Sequence, residues 1–258
     1  MSLKVKTRKS WISTVLLSRM IIVFLLLVAA CFIFSESIIL LSIFETLSIV
    51  MGLIILYFFY AKHQLSAKGE DLQQQISALV IDKIDKNASG KLLDIGCGSG
   101  ILSVELAMKC PLISIYGVDY WRGMWGYSKE ECEKLARSYD VAERITFERC
   151  SAASLPFEDE SFDFVISNMV FHEVADAQDK REVIKEALRV LKTNGLFVFQ
   201  DLFLSKKLYG KSEELLHYLN ELGINEIQME RTVQLIKVPA LLKNKMFFGN
   251  TALLYGKR

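Results

Sequence analysis

Apolar positions divide the chain into three parts. From about residue 11 to 34, and again from about 38 to 60, the residues are overwhelmingly Leu, Ile, Val, Phe and Ala. Each run is long enough to cross a hydrocarbon layer of roughly 30 Å as a helix, which predicts two transmembrane spans joined by the turn Ser35-Glu36-Ser37. Between 61 and 90 polarity returns, and Leu72, Ile76, Leu79, Val80 and Ile84 recur at helical spacing, predicting an amphipathic helix that ends near 87–90. Beyond that point short apolar runs alternate with amphipathic ones. Strands are expected at about 92–95, 113–119, 145–150, 162–167 and 196–200, and helices at 101–109, 128–138, 179–191 and 212–222. Such alternation implies an α/β fold, a mostly parallel sheet covered by helices on both faces. The last two strands, about 226–232 and 252–255, are joined through Pro239 without a crossover helix, so they should be antiparallel. The expected organisation is a two-span anchor over residues 1–61, a linker with the amphipathic helix over 62–90, and the α/β domain over 91–258.

Charge orients the spans. Lys4, Lys6, Arg8 and Lys9 precede the first span and Lys62 and Lys68 follow the second, which places both termini and the domain in the cytoplasm. Arg19 lies near the cytoplasmic end of its span, where its long side chain reaches the interface. Glu45 lies deeper, either as a functional carboxylate or protonated and bonded to a neighbouring helix. A basic start before an apolar run also resembles a signal peptide, and Val28-Ala29-Ala30-Cys31 resembles a lipoprotein cleavage box. A second hydrophobic span follows at once instead of a polar mature terminus, which favours the anchor. Cys97, Cys110, Cys132 and Cys150 form no C-x-x-C pair and have no His at ligand spacing, so neither a disulfide framework nor a metal site is expected. A net charge of +1 supplies no basic field for nucleic acid.

The chemistry concentrates where an apolar strand meets alternate glycines, in Lys91-Leu-Leu-Asp-Ile-Gly-Cys-Gly-Ser-Gly100. Gly96, Gly98 and Gly100 between a strand and a helix N-terminus form a turn whose backbone can approach a ligand closely. The acidic residue Asp94, then Ile95 and G-x-G-x-G, resembles motif I of the class I S-adenosylmethionine-dependent methyltransferases. The dinucleotide fingerprint instead spaces its glycines G-x-G-x-x-G, and residue 101 here is Ile. Asp119 ends the next strand about 20 residues further on, where doubly wound folds put a carboxylate that accepts from both ribose hydroxyls. Tyr120, Trp121, Trp125 and Tyr127 crowd the following loop. One of Tyr120 and Trp121 could flank the adenine, while packing on the next helix is the competing reading.

The resemblance runs from about Glu70 to the end of the chain. It implies a doubly wound, seven-stranded, mostly parallel sheet with one antiparallel strand, S-adenosyl-L-methionine as cofactor, and cofactor contacts from Asp94, Gly96, Cys97, Gly98, Gly100 and Asp119. Cys150-Ser151-Ala152 before Leu155-Pro156-Phe157 is similar to the family's G-D-A and L-P-F stretch. Ser151 stands where the family has Asp, so the contact to the adenine amino group loses its charge, and the Ala152 N–H remains as a ring contact. The run from Phe162 to Asn168 resembles the fourth-strand motif. Asn168 and the residues to Glu173 then lie where methyl and acceptor meet, with His172 either a base for the acceptor or a hydrogen-bonded structural histidine. Lys192-Thr193-Asn194-Gly195 fits the family's helix-to-strand turn, with Gly195 relieving left-handed strain. The implied activity is direct methyl transfer to a small-molecule acceptor, a lipid or quinone at the membrane surface. The alternative is a membrane module that binds the cofactor without turnover.

Overall fold

A computed structural model describes residues 10–121, 126–224 and 226–258, so Lys4, Lys6, Arg8, Lys9 and Trp125 lie outside the described residues. The chain divides into two compact units, residues 10–74 and residues 75–121 with 126–258. In the first, α1 (Thr14–Ile33) and α2 (Ile38–Leu65) form an antiparallel hairpin. Phe34 stacks on Phe44 at 5.3 Å, and Gly52 brings its backbone against the Phe24 ring. At 1.5 Å per residue α1 is about 30 Å long, and both helices are apolar and long enough to cross a membrane. Their outer faces carry Leu26, Phe32 and Ile38 at 65%, 78% and 79% exposure. Arg19 and Glu45 are also exposed on the hairpin. The second helix continues to Leu65, past the expected end near 60.

The second unit opens within α3 (Leu72–Ile81) and continues through β1 (Ser89–Ile95), α4 (Ile101–Lys109), β2 (Leu112–Asp119), α5 (Lys129–Ser138), β3 (Ile145–Arg149), β4 (Phe162–Asn168) and α6 (Lys180–Arg189). It closes with β5 (Leu191–Asp201), α7 (Lys206–Tyr209), α8 (Ser212–Glu221), β6 (Glu226–Arg231), α9 (Thr232–Leu235) and β7 (Ala252–Lys257). The seven strands take the order β3-β2-β1-β4-β5-β7-β6. Strands β1 to β5 are parallel, whereas β7 runs antiparallel between β5 and β6. Alternate residues face opposite sides. Leu92, Ile166 and Val198 join the layer that holds α4 and α5, and Leu93, Val165 and Phe197 join the layer that holds α6 and α8. The α/β expectation therefore holds in class, strand direction and order of elements.

Three boundaries differ for physical reasons. The amphipathic helix stops at Ile81, and Ser89 and Gly90 already belong to β1 because they pair with Leu112 and Ile113 of β2, while the Asp163 carboxylate on β4 accepts from Lys91 N at 2.8 Å. Helix α6 ends at Arg189, and residues 192–195 lie inside β5, not in a separate turn. The left-handed residue there is Asn194 (φ 62°), not Gly195. Gly195 is needed for close approach instead: a Cβ would come within 2.6 Å of the Leu191 side chain and 2.8 Å of Lys192 O.

Candidate active site

The site is built along the carboxyl edge of the parallel strands, where five strand tips stand in a row. At about 4.8 Å per strand spacing, four gaps span roughly 19 Å. At the centre, β1 delivers the chain into the glycine loop. Gly96 N and Cys97 N both donate to Val118 O, at 2.7 and 3.0 Å, so the loop is folded back over the tip of β2. Gly96 (φ 72°) has no room for a side chain, since a Cβ would lie 2.2 Å from Val170 Cγ2. Gly98 (φ 55°) is less tightly enclosed: the nearest atoms to its absent Cβ belong to the Tyr127 ring at 3.5 Å, an ordinary contact distance, so it is the left-handed backbone that calls for glycine. Gly100, also left-handed, precedes α4.

Asp119 locks the loop to its neighbour strand. Its Oδ2 accepts from Gly98 N at 2.8 Å and its Oδ1 from Trp121 N at 2.7 Å, which leaves each oxygen further acceptor capacity. The Trp121 indole donates back to Gly98 O at 2.9 Å, and Trp121 itself has a left-handed backbone (φ 44°). Tyr120 is half-exposed beneath the Arg149 guanidinium. Cys97 turns its thiol inward, and burial pushes that thiol's pKa up, so what it offers the loop is backbone. Asp94 lies under the loop at 1% exposure, with Ser103 Oγ donating to its Oδ2 at 2.5 Å. Burial, only partly offset by that bond and reinforced by the Asp119 charge, raises its pKa to about 7. Tyr127 feels burial first, then the Asp119 and Glu173 charges, and its pKa is pushed up to about 12.

On the β3 side, Ser151 Oγ donates to Asp176 Oδ2 at 2.9 Å and accepts from Ala153 N at 3.2 Å, with Ala152 in the same turn. The residue in the family's acidic position thus holds a carboxylate brought from the loop after β4. On the other side of β1, Asn168 donates through Nδ2 to Ser77 Oγ at 3.3 Å, and its buried Oδ1 has no partner. Its register partner on β5, Gln200, is fully buried and donates to Thr232 Oγ1 at 2.6 Å, leaving its own Oε1 unpartnered.

The last strand tip was not legible as a functional position. Asp201, 1% exposed, accepts at Oδ1 from Leu202 N (2.5 Å) and bonds His172 Nδ1 (2.8 Å), while its Oδ2 accepts from Val170 N (3.1 Å). A carboxylate can only accept, so Nδ1 carries the proton and Nε2 is left as the basic nitrogen, 3.8 Å from Glu173 Oε1. Burial lowers the His172 pKa, but the Asp201 hydrogen bond and charge, with Glu173, outweigh it and raise the value. The only signal in sequence was an acid closing a strand beside the one that leads to His172.

These residues fit an adenosyl sulfonium better than a pyrophosphate. The loop from Asp94 to Val104 has no Lys or Arg, two carboxyls flank it, and the open positions are acceptors suited to hydroxyls and to a cation. Among the described residues no cluster of His, Cys, Asp or Glu could hold a metal. Fold and site together define a doubly wound nucleoside-binding domain.

Comparison with known proteins narrows that class. Residues 93–199 match the family described as a methyltransferase domain. The chain is 31% identical over 163 residues to the uncharacterized methyltransferase YcgJ of Bacillus subtilis, covering 63% of this chain and 58% of that protein. It is 34% identical over 107 residues to the ubiquinone/menaquinone biosynthesis C-methyltransferase UbiE of Geobacter sulfurreducens, covering 41% and 39%. The chain therefore spans about half the length of the curated relatives it matches. In fold it is similar to geranyl diphosphate C-methyltransferase from Streptomyces coelicolor A3(2), solved with Mg2+, geranyl diphosphate and S-adenosyl-L-homocysteine. The TM-score is 0.57 at 15% identity, covering 74% of this chain and 81% of that one. Residues 93–199 thus match a methyltransferase domain, and the seven-stranded sheet around them has the fold of the class I S-adenosylmethionine-dependent methyltransferases.

Proposed function

We propose that the chain is a membrane-anchored methyltransferase that uses S-adenosylmethionine to methylate a small acceptor carrying an acidic O–H or C–H, a lipid or quinone held at the bilayer. The observation that carries this reading is the imidazole of His172, fixed by Asp201 on the same sheet edge as the glycine loop. The likeness to UbiE, whose name specifies quinone C-methylation, supports the acceptor class. Membrane anchoring is supported by the exposed apolar faces of α1 and α2 and by Lys62 and Lys68 at the exit of the hairpin.

Asp119 would accept from the ribose hydroxyls, the backbone of the glycine loop would lie against the adenosyl moiety, and Asn168 Oδ1 would accept from the ammonium. When bound, S-adenosylmethionine supplies a methyl group already activated by its sulfonium. The protein's task is then alignment and exclusion of water, and alignment alone can contribute about 7–11 kcal/mol. His172 Nε2 removes the acceptor proton as the nucleophile attacks, a role worth about 10²–10⁴-fold in rate, and Asp201 stabilises the resulting imidazolium.

The test is to incubate membranes containing the full chain with donor carrying an isotopically labelled methyl. Label is expected in a lipid or small-metabolite fraction. Label only in protein or nucleic acid, or cofactor binding with no S-adenosylhomocysteine formed from any fraction, overturns the reading.

A further inference from the structure

The final part of the domain carries charge of one sign. From Arg231 to Arg258 the chain has no Asp or Glu, and Lys237, Lys243 and Lys245 fall in the connection between α9 and β7. That connection lies at the carboxyl edge of the sheet. Strand β7 begins at Ala252 opposite Asp201, and Leu204 N donates to Asn250 O at 3.0 Å. It therefore shares an edge with the glycine loop, Asn168 and His172.

The connection is pinned from within. Val238, Leu242 and Phe248 are buried in the domain, and the Asn244 side chain folds the segment by donating to Leu241 O and accepting from Met246 N at 2.7 and 2.9 Å. Between those anchors Leu241 and Met246 are held outward at 62% and 68% exposure, and Lys237, Lys243 and Lys245 of the same segment are exposed with them. Exposed apolar tips and lysines in one segment match an anionic bilayer surface, where the tips enter the acyl boundary and the ammonium groups meet phosphate. A second copy of the same patch would set lysine against lysine. The domain is also entered through α3, whose Ser77 is bonded to Asn168 at this edge.

We propose that residues 237–247 are a bilayer-contact surface for anionic phospholipid, which turns the carboxyl edge of the sheet to the membrane so that a lipid-dissolved acceptor reaches His172 without crossing water. This rests on the membrane-anchored reading, and the experiment separates the two.

The full chain is reconstituted into vesicles of phosphatidylcholine with or without phosphatidylglycerol, carrying a photoreactive side chain at one of three positions. Met246 tests the loop, Leu26 reports insertion of α1, and Glu143, in the turn before β3 on the opposite edge, is the control. Phospholipid adducts are expected at Met246 and Leu26 and not at Glu143. Phosphatidylglycerol should raise the Met246 yield by about fivefold for each lysine engaged, and Lys237→Glu/Lys243→Glu/Lys245→Glu should lower it about tenfold or more while leaving Leu26 unchanged. Adducts at Leu26 but not at Met246 would overturn the proposal and leave the anchor standing. Adducts at neither position would remove both, and a chain-to-chain adduct at Met246 in place of lipid would assign the patch to self-association.

Discussion

Replacing Asp94 with Asn isolates the electrostatic cost of the glycine-loop corner. The carboxyl is 1% exposed and its pKa is raised from 3.8 to about 7, first by burial. A raised acid pKa means that the folded protein binds more protons than the unfolded chain across the window between those two values. Stability contributed at this site is therefore present at low pH and lost as pH rises from about 4 to 7, then constant above. From pH 5 to 7 the ceiling is two units at 1.36 kcal/mol, about 2.7 kcal/mol, and local relaxation and water reduce it to roughly half. Asn keeps an oxygen that can accept from Ser103 Oγ and has no charge to bury. The Asp94→Asn variant should thus gain on wild type as pH rises from 5 to 8, by about 1–3 kcal/mol or roughly 3–8 °C in Tm. Thermal unfolding of both full chains in detergent, followed by near-ultraviolet circular dichroism at several pH values, measures the gap. A gap that stays constant across this range, or a variant less stable at pH 8, would refute the desolvation argument. A bound sulfonium favours the carboxylate, so saturating S-adenosylmethionine should flatten the wild-type slope.

Two further outcomes test the site. Asp201→Asn should lower kcat by about 10²–10⁴-fold by releasing the His172 tautomer. It should also move the acidic limb of the residual rate to lower pH, because Asp201 is what raises the His172 pKa against burial and a base works only when deprotonated; a pH-rate profile with an unmoved limb would show that the pair is structural. Asp176→Ala should weaken S-adenosylmethionine about 3–10-fold by calorimetry, the worth of one hydrogen bond, with kcat at saturation unchanged. Equal affinity in variant and wild type would mean that Ser151 and Asp176 form only a loop closure.

What was legible in the sequence was whatever is local along the chain. The spans are readable because each apolar run is long, and the α/β alternation because strand and helix periods differ within a dozen residues. The glycine loop and Asp119 sit at a fixed offset on consecutive elements, so spacing alone could pair them, and Gly98 N meeting Asp119 Oδ2 bears that out. Asp201 and Asp176 obey no such rule. They lie 29 and 25 residues from His172 and Ser151, and only the placement of β4 between β1 and β5 brings each carboxylate to its partner. The boundary errors have the same origin: Asn194 takes the left-handed conformation expected of Gly195, and Gly195 is needed because a Cβ there would meet Leu191 and, across the strand, the Asp163 backbone. Ser151 carries the lesson furthest. Along the chain it reads as a lost carboxylate, whereas in space the negative charge stands one hydrogen bond away, supplied by a loop that also carries His172. A substitution that weakens one motif can in this way couple two, since any shift of the loop after β4 now moves both the carboxylate beside the β3 turn and the His172 imidazole.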